Sequence, residues 1–306
     1  MVRVRTAAVL VALAALLLAG CTGGRSGPTV ASGDPARCPG PVLDVVVSVA
    51  PWGQVVRPLT GPCATVTTVI ASAAIDPHEY EPTTGDIAAF QEADLVVLDG
   101  AGYDSWAAAA VADLDPGPPR VVAQGAGGTD HDPHLWYSPT VVHRLAAAVT
   151  ARLQALAPAD AGVFARQAAA FRAELAPYDR AVAALRPLAA RHTYAATETV
   201  FDRMAHALGL TDVTPAGYRR SVSNESDPAP ADVAALQAAL TGHRADVLIF
   251  NRQTEGAIPD QLRAAARRAG VPVVEVTESP PQGSRSFVAW QTEQLRELEN
   301  ALGQAR

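Results

Sequence analysis

Short runs of Val, Ile and Leu recur along this chain, separated by Ala-rich stretches whose apolar residues fall at helical spacing. Leu43–Ala50 (LDVVVSVA), Ala64–Ile70 (ATVTTVI), Pro119–Ala123 and Val271–Thr277 (VPVVEVT) read as buried strands. Helical stretches such as Asp260–Ala269 alternate with them, which predicts parallel sheets covered on both faces. One pattern occurs twice. Asp86-Ile-Ala-Ala-Phe-Gln91 is echoed by Asp232-Val-Ala-Ala-Leu-Gln237, each a few residues after a proline (Pro82; Pro228 and Pro230). Each leads into a strand, Ala93–Asp99 in the first case and Ala245–Asn251 in the second. An Asp able to cap a short helix that feeds a buried parallel strand, seen twice, predicts two lobes of one α/β design.

Between the halves lie two long helical stretches, Val141–Leu156 and Ala159 to about Arg191, with Pro177 expected to kink or restart the second. The predicted fold is α/β: two parallel-sheet lobes joined by a long rigid helix. Open α/β sheets bind ligands beyond the carboxyl ends of their strands, so two facing lobes would form a cleft there. The expected division is 42–156 for the N-terminal lobe, 157–190 for the connecting helix and 191–306 for the C-terminal lobe.

The first residues add a destination. Arg3 and Arg5 precede an apolar run from Ala7 to Gly20. That run is shorter than the ~20 residues a spanning helix needs and fits a secretory signal over 1–20. Its end, Leu18-Ala19-Gly20-Cys21, resembles a bacterial lipobox, which implies cleavage before Cys21 and lipid on its thiol. Residues 22–41 hold five Gly and four Pro and read, with Cys21, as a flexible tether over 21–41. The expected location is extracytoplasmic, lipid-anchored on the outer face of a bacterial cell membrane. With Arg3 and Arg5 removed, 22 of the 24 basic residues remain against 31 acidic ones, a net charge of −9. That disfavours a nucleic-acid partner. Cys38 and Cys63 remain as an even pair in an exported chain, and a disulfide between them is expected to add ~3 kcal/mol by loop-closure entropy.

The tripeptide Asp-Pro-His occurs twice, as Asp76-Pro77-His78 and Asp132-Pro133-His134. His78 follows the strand ending at Ile70, and His134 follows the strand at Val121. Glu198 follows a short strand at His192–Thr197 and precedes a helix at Val200–Leu208, while Glu278 follows Val271–Thr277. All four sit past the carboxyl ends of predicted strands, two from each half, at what read as equivalent topological positions. Two imidazoles and two carboxylates suit a divalent transition metal, and the carboxylates shift the preference towards harder ions such as manganese.

At these residues the chain resembles a known family. "DPHEYEPTTGDIAAFQEADLVVLDGAGYDSW", "HDPHLWYSP", "ATETVFDRMAHALGL", "RADVLIFNRQTEGAI" and "VPVVEVTES" resemble the metal-binding lipoproteins of zinc and manganese ABC importers, over about residues 43–300. The resemblance implies a metal, Zn2+ or Mn2+, clamped between two lobes bridged by one rigid helix, with His78, His134, Glu198 and Glu278 as ligands. Glu198 stands where zinc importers usually carry His and manganese importers Glu. Glu278 stands where most members carry Asp, one methylene shorter. Zinc members often have a long His-rich loop before the second motif; here it shrinks to Gly125–His131, with His131 as its one histidine. Asp76, Asp132 and Trp136 are expected to support the ligands or the local packing.

The implied function is capture of the metal outside the cell and its delivery to an ABC-type permease and its ATPase, by a monomer held through its lipid. Four protein ligands would close the shell, whereas catalytic metals keep a position open, so no catalytic residue is expected. Release would need the two C-lobe ligands to move, by a small tilt rather than a wide hinge. A metallohydrolase could use two His and two carboxylates, but the chain has no H-E-x-x-H or G-x-S-x-G. A haem or siderophore binder on the same plan would want an aromatic, Arg-lined cleft, and aromatic residues are 5% of this chain. An adhesin role has no repeat or lectin-like feature behind it.

Overall fold

The apolar runs assemble into two sheets. The structure, a computed structural model, describes residues 27–77, 80–126, 132–254 and 256–305. The first half contains β1 (Thr29–Ala31), β2 (Leu43–Val49), α1 (Ala50–Thr60), β3 (Ala64–Ile70), α2 (Thr84–Glu92), β4 (Leu95–Leu98), α3 (Ser105–Ala112) and β5 (Arg120–Val122). Two helices follow, α4 (Pro139–Leu156) and α5 (Ala161–Ala189). The second half contains β6 (Thr193–Ala196), α6 (Asp202–Leu208), β7 (Thr211–Asp212), α7 (Ala216–Ser223), α8 (Pro230–Thr241), β8 (Val247–Asn251), α9 (Ala257–Ala269), β9 (Val273–Val276) and α10 (Phe287–Gln304).

The first sheet runs β1-β3-β2-β4-β5 and the second β7-β6-β8-β9. All pairings are parallel except β1 on β3. Without β1, each sheet places its second strand, first strand, third strand and fourth strand side by side. The two lobes therefore share one topology, as the repeated helix–strand pattern predicted. The capping detail differs from expectation. Thr83, not Asp86, is the N-cap of α2; Asp86 sits three residues in and closes a capping box with it. In α8 the cap position is Ala229, and Asp232 lies in the first turn, where its charge meets the positive helix end.

Strand alternation divides the core. On β8, Val247 and Ile249 join the large apolar cluster, while Leu248 between them faces a second cluster with Leu236, Leu240 and Leu262. The large cluster is continuous from the first sheet through α4 and α5 to the near face of the second sheet. The spine of this arrangement is α5, 29 residues long and packed by α1, α4 and α10. It runs unbroken through Pro177 and Pro187, so the expected restart at Pro177 does not occur. An interior proline costs ~3 kcal/mol. Phe171, Leu175, Tyr178 and Leu185, all buried along one stripe, offset that cost, with Tyr178 edge-on to Phe287 of α10 at 6.0 Å.

The segment read as a tether is partly folded. β1 adds an antiparallel edge to β3, Asp160 accepts a hydrogen bond from the Gly40 amide, and Cys38 is disulfide-bonded to Cys63 across a Cα–Cα distance of 5.4 Å. The edge of β3 offered unpaired backbone groups, and the disulfide holds the segment close enough to pair with them. The signal segment 1–20 and Cys21 lie outside the described residues. Among the described residues, no helix is long and apolar enough to cross a membrane.

Candidate metal centre

His134 lies at the end of the loop after β5, on the turn that precedes α4, and is buried. Its Nδ1 lies 2.8 Å from Asp132 Oδ1, and the same oxygen accepts the His134 amide at 3.0 Å. The spacing of two residues lets one carboxylate hold both ring and backbone, which fixes the ring and leaves Nε2 facing away. Nε2 lies 3.7 Å from Oε1 of Glu278, two residues beyond β9 in the other lobe. Burial opposes a charge on this ring, but Asp132 and Glu278 outweigh it and its pKa is pushed up to about 10. The pocket at Nε2 therefore favours a positive charge.

Behind the imidazole stands an aromatic wall. Trp136 meets His134 edge-to-face at 5.6 Å, Tyr103 at 4.8 Å and Trp52 at 6.2 Å. The Tyr103 hydroxyl donates to Glu278 Oε1 at 2.8 Å. Burial, then the charge of Glu278, pushes this phenol well up, so it stays a donor. Asp76 is exposed and close enough to Tyr103 for its charge to act in the same direction. Below the wall, Trp52 Nε1 donates to Asp99 at 2.7 Å and the Ser48 hydroxyl to Asp104 at 2.6 Å. Burial and then the Asp104 charge push the Asp99 carboxyl well above its ordinary value.

Glu198, two residues past β6, is held differently. Asn251 at the end of β8 donates to Oε2 at 2.8 Å, and the Thr254 hydroxyl donates to Oε1 at 2.5 Å. Burial raises its pKa against these two hydrogen bonds, and the charges of Glu278 and His134 both reach it. Glu198 is thus a ligand candidate braced within its own lobe, not a cap for α6.

Arg203 on α6 ties the lobes from the opposite direction. Its Nε donates to the Asp132 backbone carbonyl at 3.1 Å and lies 3.5 Å from the Asp132 carboxylate. Tyr137, just past His134, has its hydroxyl 2.8 Å from the Thr277 carbonyl oxygen and 2.8 Å from Gln294. Each of the adjacent donors, His134 and Glu278, is therefore steadied by a residue of the other lobe.

Of the predicted site residues, the structure brings His134, Asp132, Trp136 and Glu278 into contact, with Glu198 near. His78 and His131 lie outside the described residues. Among the described residues, no group of three or more His, Cys, Asp or Glu side chains could by itself hold a metal ion. The expected equivalence of positions holds for one pair only. β5 and β9 correspond in the two sheet orders, so His134 and Glu278 match; β6 corresponds to β2, not to β3, which precedes His78. Tyr103, Arg203 and Thr254 were missed. Asn251 was visible as the polar end of an apolar strand; the others carry no local signal.

The fold has two lobes of one strand order spanned by a long helix, and it places a buried His and two carboxylates past strand ends, where open α/β sheets hold ligands. A family model described as "Zinc-uptake complex component A periplasmic" matches residues 45–301, and the chain belongs to that family. Two curated relatives are the zinc-binding lipoprotein AdcA of Streptococcus pneumoniae and the high-affinity zinc uptake system protein ZnuA of Bacillus subtilis. AdcA is 23% identical over 86% of this chain and 56% of its own length. ZnuA is 26% identical over 73% of this chain and 75% of its own length. The chain thus spans little more than half of AdcA. Among solved structures, FpvC of Pseudomonas aeruginosa, in complex with Mn2+, has a TM-score of 0.71 at 22% identity, covering 86% of this chain and 98% of its own. That likeness is one of fold.

Proposed function

We propose that this protein captures a divalent transition metal, Zn2+ or Mn2+, outside the cytoplasm and delivers it to an ABC-type importer. The observation that carries this reading is the approach of His134 Nε2 and Glu278 Oε1 from opposite lobes to 3.7 Å. Metal–ligand bonds of ~2.0–2.2 Å put two donors of one ion at about that separation. The ligands in this reading are His78, His134, Glu198 and Glu278, with Asp132 orienting His134. The chain belongs to a zinc-uptake family, and curated relatives named for zinc binding and zinc uptake support the cargo class. Membership of a family named for transport rather than for a reaction supports binding over catalysis.

The partners in this reading are a permease with its ATPase, and the membrane, reached through lipid on Cys21. The working division is 42–156, 157–190 and 191–306. The continuous core through α5 resists wide opening, so release goes through small movements of the ligand-bearing loops. The test is competitive titration of the metal-free protein with zinc and manganese, with mass spectrometry of the bound ion, on wild type and Glu198→Ala. One tight site, weakened about tenfold or more by the substitution, is expected. No binding of either ion by the wild type would sink the reading.

A further inference from the structure

Glu278 reaches the cleft from the C-lobe, yet its carboxylate accepts a hydrogen bond from the N-lobe, from the Tyr103 hydroxyl at 2.8 Å. The oxygen that accepts it, Oε1, is also the one facing His134 Nε2 at 3.7 Å. The ring that donates is buried and fixed, edge-on to Trp136 at 4.8 Å and to His134 at 6.0 Å. Its backbone sits on a built turn. Gly100, Ala101 and Gly102 all have positive φ (82°, 53° and 92°), a conformation an alanine adopts only under constraint. The constraint is Asp104, whose carboxylate accepts the Asp99 amide at 2.6 Å and the Gly100 amide at 2.8 Å. At the other end, Thr277 is pinned by Trp290, Gln294 and Tyr137, so Glu278 leaves a fixed point. Each partner thus leaves a backbone held by hydrogen bonds of its neighbours.

We propose that Tyr103 is a selectivity residue: it reserves part of Glu278 Oε1, holds the carboxylate to one-oxygen coordination, and so favours zinc over manganese. The physical reason is coordination number. Zinc is satisfied by four donors in a tetrahedron, whereas manganese prefers six oxygen-rich positions and gains from a carboxylate that chelates through both oxygens. A Glu278 that must keep its phenol cannot turn freely to offer both. This inference rests on the metal-capture reading and adds to it the choice of ion.

The test measures zinc and manganese affinities of the purified protein by chelator competition for wild type, Tyr103→Phe and Glu278→Asp. X-ray absorption of each zinc and manganese complex gives the number of light-atom neighbours. Tyr103→Phe keeps the ring and removes only the donor. It is expected to raise manganese affinity relative to zinc by about three- to tenfold, the net span of one ordinary hydrogen bond, with an added oxygen neighbour at manganese. Glu278→Asp draws the carboxylate away from the phenol by one methylene and is expected to shift the ratio in the same direction. It tests the idea even if Tyr103→Phe fails to fold. A ratio within about twofold of wild type, or equal loss of both ions, overturns the inference and leaves metal capture standing. A wild type that binds neither ion overturns the function and this inference together.

Discussion

The two lobes have the same strand order, yet they hold their carboxylate candidates in opposite ways. Glu198 is braced at home: Asn251 and Thr254 both belong to its own lobe. Glu278 accepts its hydrogen bond from the far lobe, through Tyr103, and its neighbour His134 is steadied through Asp132 by Arg203 of the C-lobe. The lesson is that equal topology does not mean equal coupling. Glu198 can keep its orientation whatever the other lobe does. The Tyr103–Glu278 hydrogen bond and the Arg203 contact with Asp132 cross between the lobes, so a small tilt would act on these contacts first. In the proposed reading, release starts at the crossed pair and Glu198 is the steadier candidate ligand.

Four measurements would break or sharpen this contrast. The largest effect is expected from His134→Ala, which removes a donor oriented from both lobes: zinc affinity should fall by ~100-fold or more, beyond what loss of an outer partner costs. Affinity retained within about tenfold would mean that the ion sits elsewhere. Next comes Arg203→Ala. Arg203 meets the site through Asp132, and its loss should weaken zinc binding by ~10–100-fold and speed metal release, because the crossed pair loses a brace. A smaller cost, about tenfold or less, is expected for Asn251→Ala, since Thr254 keeps hold of the other Glu198 oxygen. If Asn251→Ala proved as damaging as Arg203→Ala, the contrast between a home-braced and a cross-braced ligand would collapse.

The smallest effect is a proton count. Asp132 and Glu278 push the pKa of the metal-free His134 up to about 10, so at pH 7 to 8 the ring is expected to carry a proton that a metal must displace. Calorimetry in buffers of different ionisation enthalpy should find close to one proton released on binding near neutral pH, and affinity should climb as pH rises towards about 10. Towards acid, affinity should fail at higher pH than for an ordinary carboxylate, because burial raises the pKa of Glu198. The same sign applies to the metal-free fold. A histidine whose pKa is raised on folding adds stability that is complete below ~6.5 and lost as pH rises through about 10. Metal binding with no proton release would show that Asp132 and Glu278 do not hold His134 charged.

How much could be read beforehand depended on distance along the chain. β3 occupies Ala64–Ile70 as its β-branched run predicted, and the seven core strands of the two lobes all fall within their expected runs, because a buried strand needs only its own apolar residues. β1 and β7 were not anticipated; they are two or three residues long and exist as edges of sheets already formed. Asp132 and His134 were legible as partners because they lie two residues apart. Arg203 lies 71 residues from Asp132, and Tyr103 lies 175 from Glu278, with nothing local to mark either. The restart read at Pro177 fails for the same reason: its local effect is to interrupt a helix, but α5 continues through it, packed against α10.

By itself the sequence determined the seven core strands, the two-lobe repeat and the ligand candidates, and it led to the expectation of a Cys38–Cys63 disulfide. These depend on patterns of period two or 3.6, on composition and on short motifs, all properties of neighbouring residues. Only the tertiary structure decided that β5 and β9, the strands before His134 and Glu278, correspond, that α5 passes intact through its prolines, and that Tyr103 and Arg203 reach across to the other lobe. Those facts come from packing two lobes against one shared core, where residues far apart in the chain are brought within hydrogen-bond distance and held there.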